Sequence, residues 1–458
     1  MEVIKIKGGY SFSLKNAAKN ILKKSKKISY VAYSLDDLKN IKPKILVKEG
    51  DEVSRGSDLF FDKKNKRIRF TSPGGGVVNK ICYGERRTLK SIIIKLFKEE
   101  KIRNFGSISY SLFKSLTVQD ISTKLLESGL WQLLNVFPGE DYPPEEGVFD
   151  VNGQQLSTKI EASYISSFYT EPHGVNIGLV LRGREKYFIA GVKILNILTK
   201  KTFLFTLNHQ KLDSRLMNID GVTYKIIEDK YPAENMGTQM WYTNSLRRGT
   251  VGIGADIELV ISIGYLFLTG KLQSERVFSV SGNGVKERHH ILGRIGMMVS
   301  DLCDVDDNNS NRIITGGVFT GRKIVYNDFL GLRDNRLVII KEDLRRIPFV
   351  FFRLGFDKLT LSRTWASCLN ANYMHDLSTS KNGEERSCIQ CGYCINVCPV
   401  KLMPNMIMKA SLNNDIEQME NLSIYDCIDC GLCTFICPSK IELHHKIKDG
   451  KRLLYKEG

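Results

Sequence analysis

Hydrophobic and polar positions change rhythm several times along the chain. From residue 28 to about 96 they alternate in short runs broken by turns, the pattern of half-buried strands. Val47 and Val53 flank the turn at Gly50-Asp51, and Phe70-Thr71-Ser72-Pro73-Gly74-Gly75-Gly76-Val77-Val78 repeats the strand–turn–strand idea. Residues 118–134 place apolar side chains at helical spacing and end at Ser128-Gly129-Leu130-Trp131. Between 148 and 236 short apolar strands alternate with helices, in the order strand 176–181, helix 185–199 and strand 200–207, which predicts a small α/β layer. Further on, the periodicity predicts a helix over 256–270, a strand over 275–282, a helix over 291–301 and a strand over 312–321 that ends in glycines. Near the C-terminal end, residues 403–419 are methionine-rich and helical, with one apolar face. A helical stretch is also expected at 17–24.

At 458 residues the chain is too long for one core. The predicted fold class is multidomain α/β and α+β. An N-terminal lead occupies 1–27. A barrel-sandwich hybrid follows at 28–98, because Gly50-Asp51-Glu52-Val53 and Ser72-Pro73 with Gly76-Val77 resemble the biotinyl/lipoyl barrel. The hairpin lysines Lys63, Lys64 and Lys66 miss the spacing of a swinging-arm lysine and read as a solvated face. A helical connection is expected at 99–147, an α/β domain at 148–272, a β-grasp-like (SLBB-like) domain at 273–345 and a cysteine-bearing domain at 346–458. The connection closes on an acidic, proline-rich loop, Phe137-Pro138-Gly139-Glu140-Asp141-Tyr142-Pro143-Pro144-Glu145-Glu146-Gly147, most simply a surface link.

Charge narrows the partners. The formal net charge is +17, mostly from lysine spread along the chain. It is not gathered beside aromatic side chains, so a single-strand nucleic-acid groove is not indicated. A basic face near anionic lipid or acidic partner subunits fits better. The opening residues Met1-Glu2-Val3-Ile4-Lys5-Ile6-Lys7 are too polar for a signal sequence. No apolar run reaches spanning length, and 259–268 reads as a buried segment. A peripheral protein on the cytoplasmic face, attached through partners, is expected. Gly252-Ile253-Gly254-Ala255 lacks the third glycine of a dinucleotide fingerprint and reads as a turn. Without such a loop, electrons are expected to arrive from a partner.

The chemistry sits in the cysteines. Cys388, Cys391, Cys394 and Cys398-Pro399 follow the spacing C-x2-C-x2-C-x3-C-P, and Cys427, Cys430, Cys433 and Cys437-Pro438 repeat it. In two-cluster ferredoxins the fourth cysteine of each run ligates the other cluster. The expected sets, holding two [4Fe-4S] clusters, are therefore Cys388, Cys391, Cys394 and Cys437 for one, and Cys427, Cys430, Cys433 and Cys398 for the other. Zinc needs only two C-x2-C pairs and has no use for the repeated third and fourth cysteine. Disulfides do not suit a chain without a secretory signal, whose other cysteines (Cys82, Cys303, Cys368) are isolated. The 403–419 helix is expected to pack over the clusters. His444 and His445, with Asp449 one turn on, are expected at the surface, short of a metal site.

The chain resembles the A-subunit family of sodium-translocating NADH:quinone reductases. The likeness is carried by residues 47–53, Phe61-Asp62-Lys63-Lys64-Asn65, Glu127-Ser128-Gly129-Leu130-Trp131, Leu266-Phe267-Leu268-Thr269-Gly270, Leu330-Gly331-Leu332-Arg333-Asp334 and residues 353–360. The cysteine repeat departs from that family and is similar to the C-subunit of Rnf complexes, as is Cys398-Pro399-Val400-Lys401-Leu402-Met403-Pro404. The resemblance implies a peripheral subunit that takes part in electron transfer to quinone coupled to sodium export. It implies membrane subunits as partners, with NADH and flavins on them, and quinone contacts for which Trp131, Glu145 and Glu146 are candidates. An Rnf-type subunit handling NADH and FMN, and a non-catalytic assembly scaffold, are the alternatives.

Overall fold

The computed structural model describes residues 2–35, 41–138, 160–199, 201–210, 216, 218–243, 251–305, 310–343, 352, 354–357, 365–370, 373–380 and 384–457. A small barrel comes first. Tyr30–Ser34, Leu89–Leu96, Gly76–Tyr83 and Glu52–Val53 make one antiparallel sheet, and Pro43–Ile45, Asp58–Asp62 and Arg69–Thr71 make the other. Phe60 and Phe70 stack between them at 4.5 Å, with the Tyr33 ring edge-on. Lys63, Lys64 and Lys66 lie exposed at a hairpin tip, which the Asp62 carboxylate ties by accepting from the Lys42 and Lys64 N–H groups.

The centre of the molecule is a six-stranded sheet. Its order is Val3–Ile4, Val222–Ile227, Thr202–Leu207, Ile160–Ser166, Val251–Asp256 and Asn135–Phe137, parallel except for the last pair. Every residue of Thr202–Leu207 is buried, as a parallel strand covered on both faces requires. Leu204 joins the core formed with helices Glu185–Thr199 and Ile257–Thr269. Phe203, Phe205 and Leu207 face the other way, onto Ile407, Ile428 and Ile447 of the cysteine-bearing region. Burying each of these phenylalanines contributes about 2 kcal/mol. The two helices meet at glycines: a Cβ on Gly264 would lie 1.8 Å from the Tyr187 carbonyl oxygen, and one on Gly191 2.0 Å from that of Val260.

A second six-stranded sheet runs Arg322–Ile324, Asn311–Thr315, Arg336–Lys341, Glu275–Ser281, His289–Arg294 and Leu22–Lys24. Two hairpins flank the central Arg336–Lys341 strand, which lies parallel to Glu275–Ser281.

Several local expectations are corrected. Residues 17–24 are not helical; Leu22–Lys24 pairs parallel with His289–Arg294. Leu22 packs on the core from that strand, so pairing with a distant strand overrides the apolar spacing of Ala17, Ala18, Ile21 and Leu22. Val3–Ile4 likewise lies at an edge, that of the central sheet. Over 291–301 a strand, His289–Arg294, precedes a single turn, Val299–Leu302. Gly296 separates them at φ +77°, packed so closely that a Cβ would lie 2.4 Å from the Ala32 oxygen. Residues 176–181 form the short helix Ile177–Leu181, because the Asn176 side chain accepts from the Leu179 N–H and caps it. Gly252 and Gly254 lie within a strand rather than a turn. Cβ atoms there would meet the Met240 and Met236 sulfurs at 2.7 and 2.5 Å, so the glycines let helix Met236–Thr243 rest on the sheet.

Gly264→Ala is expected to lower stability by about 3 kcal/mol through forced separation of two helices, read as a shifted urea midpoint by circular dichroism. A pH effect follows from His173, 6% exposed. Burial lowers its imidazole to about 4, only partly offset by the Lys15 backbone. The folded state therefore favours neutral His173. Its stability is full above about 6.5 and falls as pH drops towards 4, by about 2 kcal/mol at pH 5. His173→Asn should flatten that part of the urea-midpoint-against-pH curve; an unchanged slope would remove the assignment.

Candidate redox site: two cysteine turns and an adjoining cavity

The two cysteine motifs fold as copies of one another. Gly392 and Gly431 both have φ 74° and open the short helices Tyr393–Val397 and Leu432–Ile436. Gln390 and Asp429, at matching places, share the left-handed conformation with φ 52° and 54°, as do Lys401 and Lys440 with 54° and 59°. Such turns direct consecutive N–H groups inward and make a nest for negative charge. The Leu402 N–H lies 3.4 Å from Cys398 Sγ.

The turns face each other so that each supplies the other's fourth thiol. Cys388, Cys391, Cys394 and Cys437 line one cavity with Ile441 and Leu443. Cys398, Cys427, Cys430 and Cys433 line a second with Ile407, Leu432 and Ile447. The eight cysteines of the two motifs are free thiols. Among the described residues no three His, Cys, Asp or Glu side chains are placed to hold one metal ion. The thiols instead stand around a space, a donor set that fits a polynuclear iron–sulfur group. Burial pushes the Cys427 thiol up to about 12 and holds Cys430 well above the ordinary value. Thiolate charge at these positions thus calls for bound cations.

The two sets differ in exposure. Cys391 is exposed and its neighbour Ile389 is 68% exposed. The second set is enclosed by the central sheet's elements. Tyr231 Oη donates to the Cys430 carbonyl at 2.7 Å, and Asn235 Nδ2 to that of Ile428 at 3.1 Å. Ile428 packs on Gly237, where a Cβ would meet it at 2.3 Å. From the N-terminal segment, the Gly9 N–H donates to the Val397 carbonyl at 2.8 Å. Rings of Tyr10, Phe12, Tyr231, Phe319 and Phe435 form a cluster beside it, with Phe12 and Phe319 at 4.9 Å.

Helix Pro404–Leu412 lies over both sets, with Met408 beside Cys394 and Ile407 on the second cavity. The last helix, Leu443–Glu457, corrects the surface assignment of His444. Its side chain is 14% exposed, lines the second cavity and lies 3.5 Å from Asp429. Lys451 Nζ donates to the Cys427 carbonyl at 2.6 Å and to Asp429 at 3.0 Å. Burial alone would raise the Asp429 carboxyl, but His444 and Lys451 outweigh it and hold it well below the usual carboxylate range.

Beside Cys427 opens a cavity of about 340 Å³. Its walls come from the carboxyl ends of Ile160–Ser166 and Val251–Asp256, from Arg336 of the second sheet and from the Cys427–Asp429 turn. Glu171 is held there by the Phe319 and Thr320 N–H groups and by Arg336 at 2.9 Å. Glu234 accepts from the Glu171 N–H at 2.7 Å and from the Thr170 hydroxyl; burial raises its carboxyl. Sequence reasoning missed these residues. Glu171 and Arg336 lie 165 positions apart, and no local pattern marks either. Trp131, by contrast, is wholly buried in the core and lines no part of this cavity. Glu145 and Glu146 lie outside the described residues.

Three family models match in chain order: the NqrA N-terminal barrel-sandwich hybrid domain over residues 4–97, the NqrA second alpha/beta domain over 116–272, and a 4Fe-4S dicluster domain over 387–441. This chain joins NqrA domains to a dicluster ferredoxin domain. Among relatives, the Na(+)-translocating NADH-quinone reductase A-subunit of Marinomonas sp. is 29% identical over 415 residues, covering 90% of this chain and 89% of its own. The corresponding A-subunits of Vibrio atlanticus and Pseudomonas aeruginosa are 27% and 28% identical, each with 90% of both chains covered. A chain of the H2-reduced NAD+-reducing [NiFe]-hydrogenase overlaps at a TM-score of 0.33 and 12% identity, over 65% of this chain and 55% of that one. In the air-oxidized form the TM-score is 0.30 and the identity 11%, over 54% and 53%. These two overlaps are too slight to carry an argument. The match to a 4Fe-4S dicluster domain over 387–441 falls on the part of the chain where the eight thiols gather.

Tyr231→Phe removes the donor to the Cys430 carbonyl and leaves that acceptor without its partner. The expected loss is about 1–3 kcal/mol in urea unfolding, with iron content unchanged.

Proposed function

We propose that the chain is a peripheral subunit of a Na+-translocating NADH:quinone reductase that relays single electrons through two [4Fe-4S] clusters. One is held by Cys388, Cys391, Cys394 and Cys437, the other by Cys427, Cys430, Cys433 and Cys398. The observation that carries this reading is the sorting of eight thiols around two separate cavities in crossed fashion. When bound, each cluster takes up and gives back one electron at a potential set by burial, charge and hydrogen bonds. The chain's own residues supply the asymmetry. The exposed turn at Ile389 meets a partner, while Lys451, His444 and the Tyr231 hydroxyl enclose the other set.

The relatives' name supplies the remaining roles, with NADH as donor, quinone as acceptor and sodium as the translocated ion. Sodium export and the placing of NADH and flavins on partner subunits follow from the family resemblance alone. The name also favours this reading over an Rnf-type protein. No helix of the described residues is long and apolar enough to cross a membrane. Attachment to the cytoplasmic face therefore runs through membrane subunits, helped by the net charge of +17 against anionic lipid. Nucleic acid has no part in this scheme.

Anoxically purified chain is expected to hold roughly eight irons, four per cubane, and to give an EPR signal on reduction. Cys430→Ser should remove one cluster and about half the iron, and Cys391→Ser the other. Zinc in place of iron would sink the proposal. So would reduced protein with no EPR signal, or full turnover of the assembled complex when both substitutions are present.

A further inference from the structure

The two cysteine repeats stay in step beyond their prolines. Seven residues after the fourth cysteine of each run, Cys398 is followed by Asn405 and Cys437 by His444. Both stand second in a helix, Pro404–Leu412 for the one and Leu443–Glu457 for the other. The fourth thiol of each run crosses to the opposite cavity, but the chain then turns back. Asn405 lines the first cavity with Cys388, Cys391 and Cys394 of its own motif, and His444 lines the second with Cys427, Cys430 and Cys433. Both repeats thus set a nitrogen-bearing side chain against the space that their first three thiols surround.

At Asn405 that side chain is uncommitted. Its backbone already reaches the thiols: burial raises Cys394, and the Asn405 N–H works against that rise. Its Oδ1 is buried, and no described residue forms a hydrogen bond with either end of the amide. A buried acceptor without a donor costs free energy. Oxygen and nitrogen exchange places by a half-turn about the last torsion, whose profile is broad and two-fold. Thiolates and sulfides accept hydrogen bonds, so negative sulfur in this cavity favours the amide with Nδ2 inward. Hydrogen bonds to sulfur are among the levers that set the potential of an iron–sulfur group.

We propose that Asn405 tunes the first cluster, its side-chain N–H donating to a sulfur in the cavity of Cys388, Cys391, Cys394 and Cys437. The inference rests on the relay reading above for the cluster itself. A donor at this place stabilises the added electron, so Asn405 raises the potential of the exposed set and eases its reduction.

A redox titration of the anoxically purified, iron-loaded full-length chain, followed by EPR, tests it. The step that belongs to the first cluster is the one missing from Cys391→Ser. Asn405→Leu keeps the branched shape without the N–H. It should lower that step alone, by a ten-fold change in the ratio of reduced to oxidised cluster, or about 59 mV for one electron. Asn405→Asp, closest in shape, replaces the donor by an acceptor; it should lower the same step at least as far, and it serves if Asn405→Leu loses its iron. Asn405→Gln keeps an amide and should restore most of the wild-type potential. Iron-loaded variants with both steps unmoved would overturn the assignment. Equal shifts of both steps would do so too, being the mark of a merely structural loosening. Wild type without iron would remove the relay reading and this assignment together, whereas unmoved steps in iron-loaded protein remove this assignment alone.

Discussion

The arrangement depends on two left-handed turns set face to face, each completing the other's thiols. Cys398 and Cys437 leave their own turns after a short helix and end across from the partner turn. Neither half has a full donor set alone. Eight soft ligands gathered this closely, with the thiols of Cys394, Cys398, Cys427, Cys430 and Cys433 raised by burial, are an unfavourable assembly unless cations fill the spaces between them. Folding of this region and its loading are therefore one problem.

The rest of the molecule braces one of the turns. The central sheet presents Phe203, Phe205 and Leu207 to Ile407, Ile428 and Ile447, forming a single apolar layer across two domains. Glycines at 237, 252 and 254 bring the backbones close enough for side-chain hydrogen bonds to reach the cysteine loop. The N-terminal segment fastens the same junction: a Cβ on Gly8 would lie 2.6 Å from the Cys398 carbonyl oxygen. Rigid contact on one side and solvent on the other distinguish two otherwise repeated turns.

Charge follows the same division. Asp429 occupies in the second turn the place that Gln390 has in the first. It sits between Lys451 and His444, and the lysine also binds the Cys427 carbonyl. A buried lysine–aspartate pair beside one cysteine set, where the other set has the neutral Gln390, makes the two electrostatically unequal.

Local order was legible in the chain alone wherever a short pattern has one physical solution. Cysteines at fixed spacing before proline, the capped helix Ile257–Thr269 and the alternating barrel strands are of that kind. Where burial on both faces or pairing with distant strands decides, local pattern misleads. Residues 291–294 read as the start of a helix because Ile291 and Leu292 suit either form, and their strand arises from pairing with Glu275–Ser281. Gly252 and Gly254 read as a turn because the methionines they admit lie on a separate helix. His444 read as surface because the turn that covers it lies in another segment. The cavity with Glu171, Glu234 and Arg336 had no signature at all: its walls come from three domains, and only their packing brings opposite charges and a cysteine turn around one space.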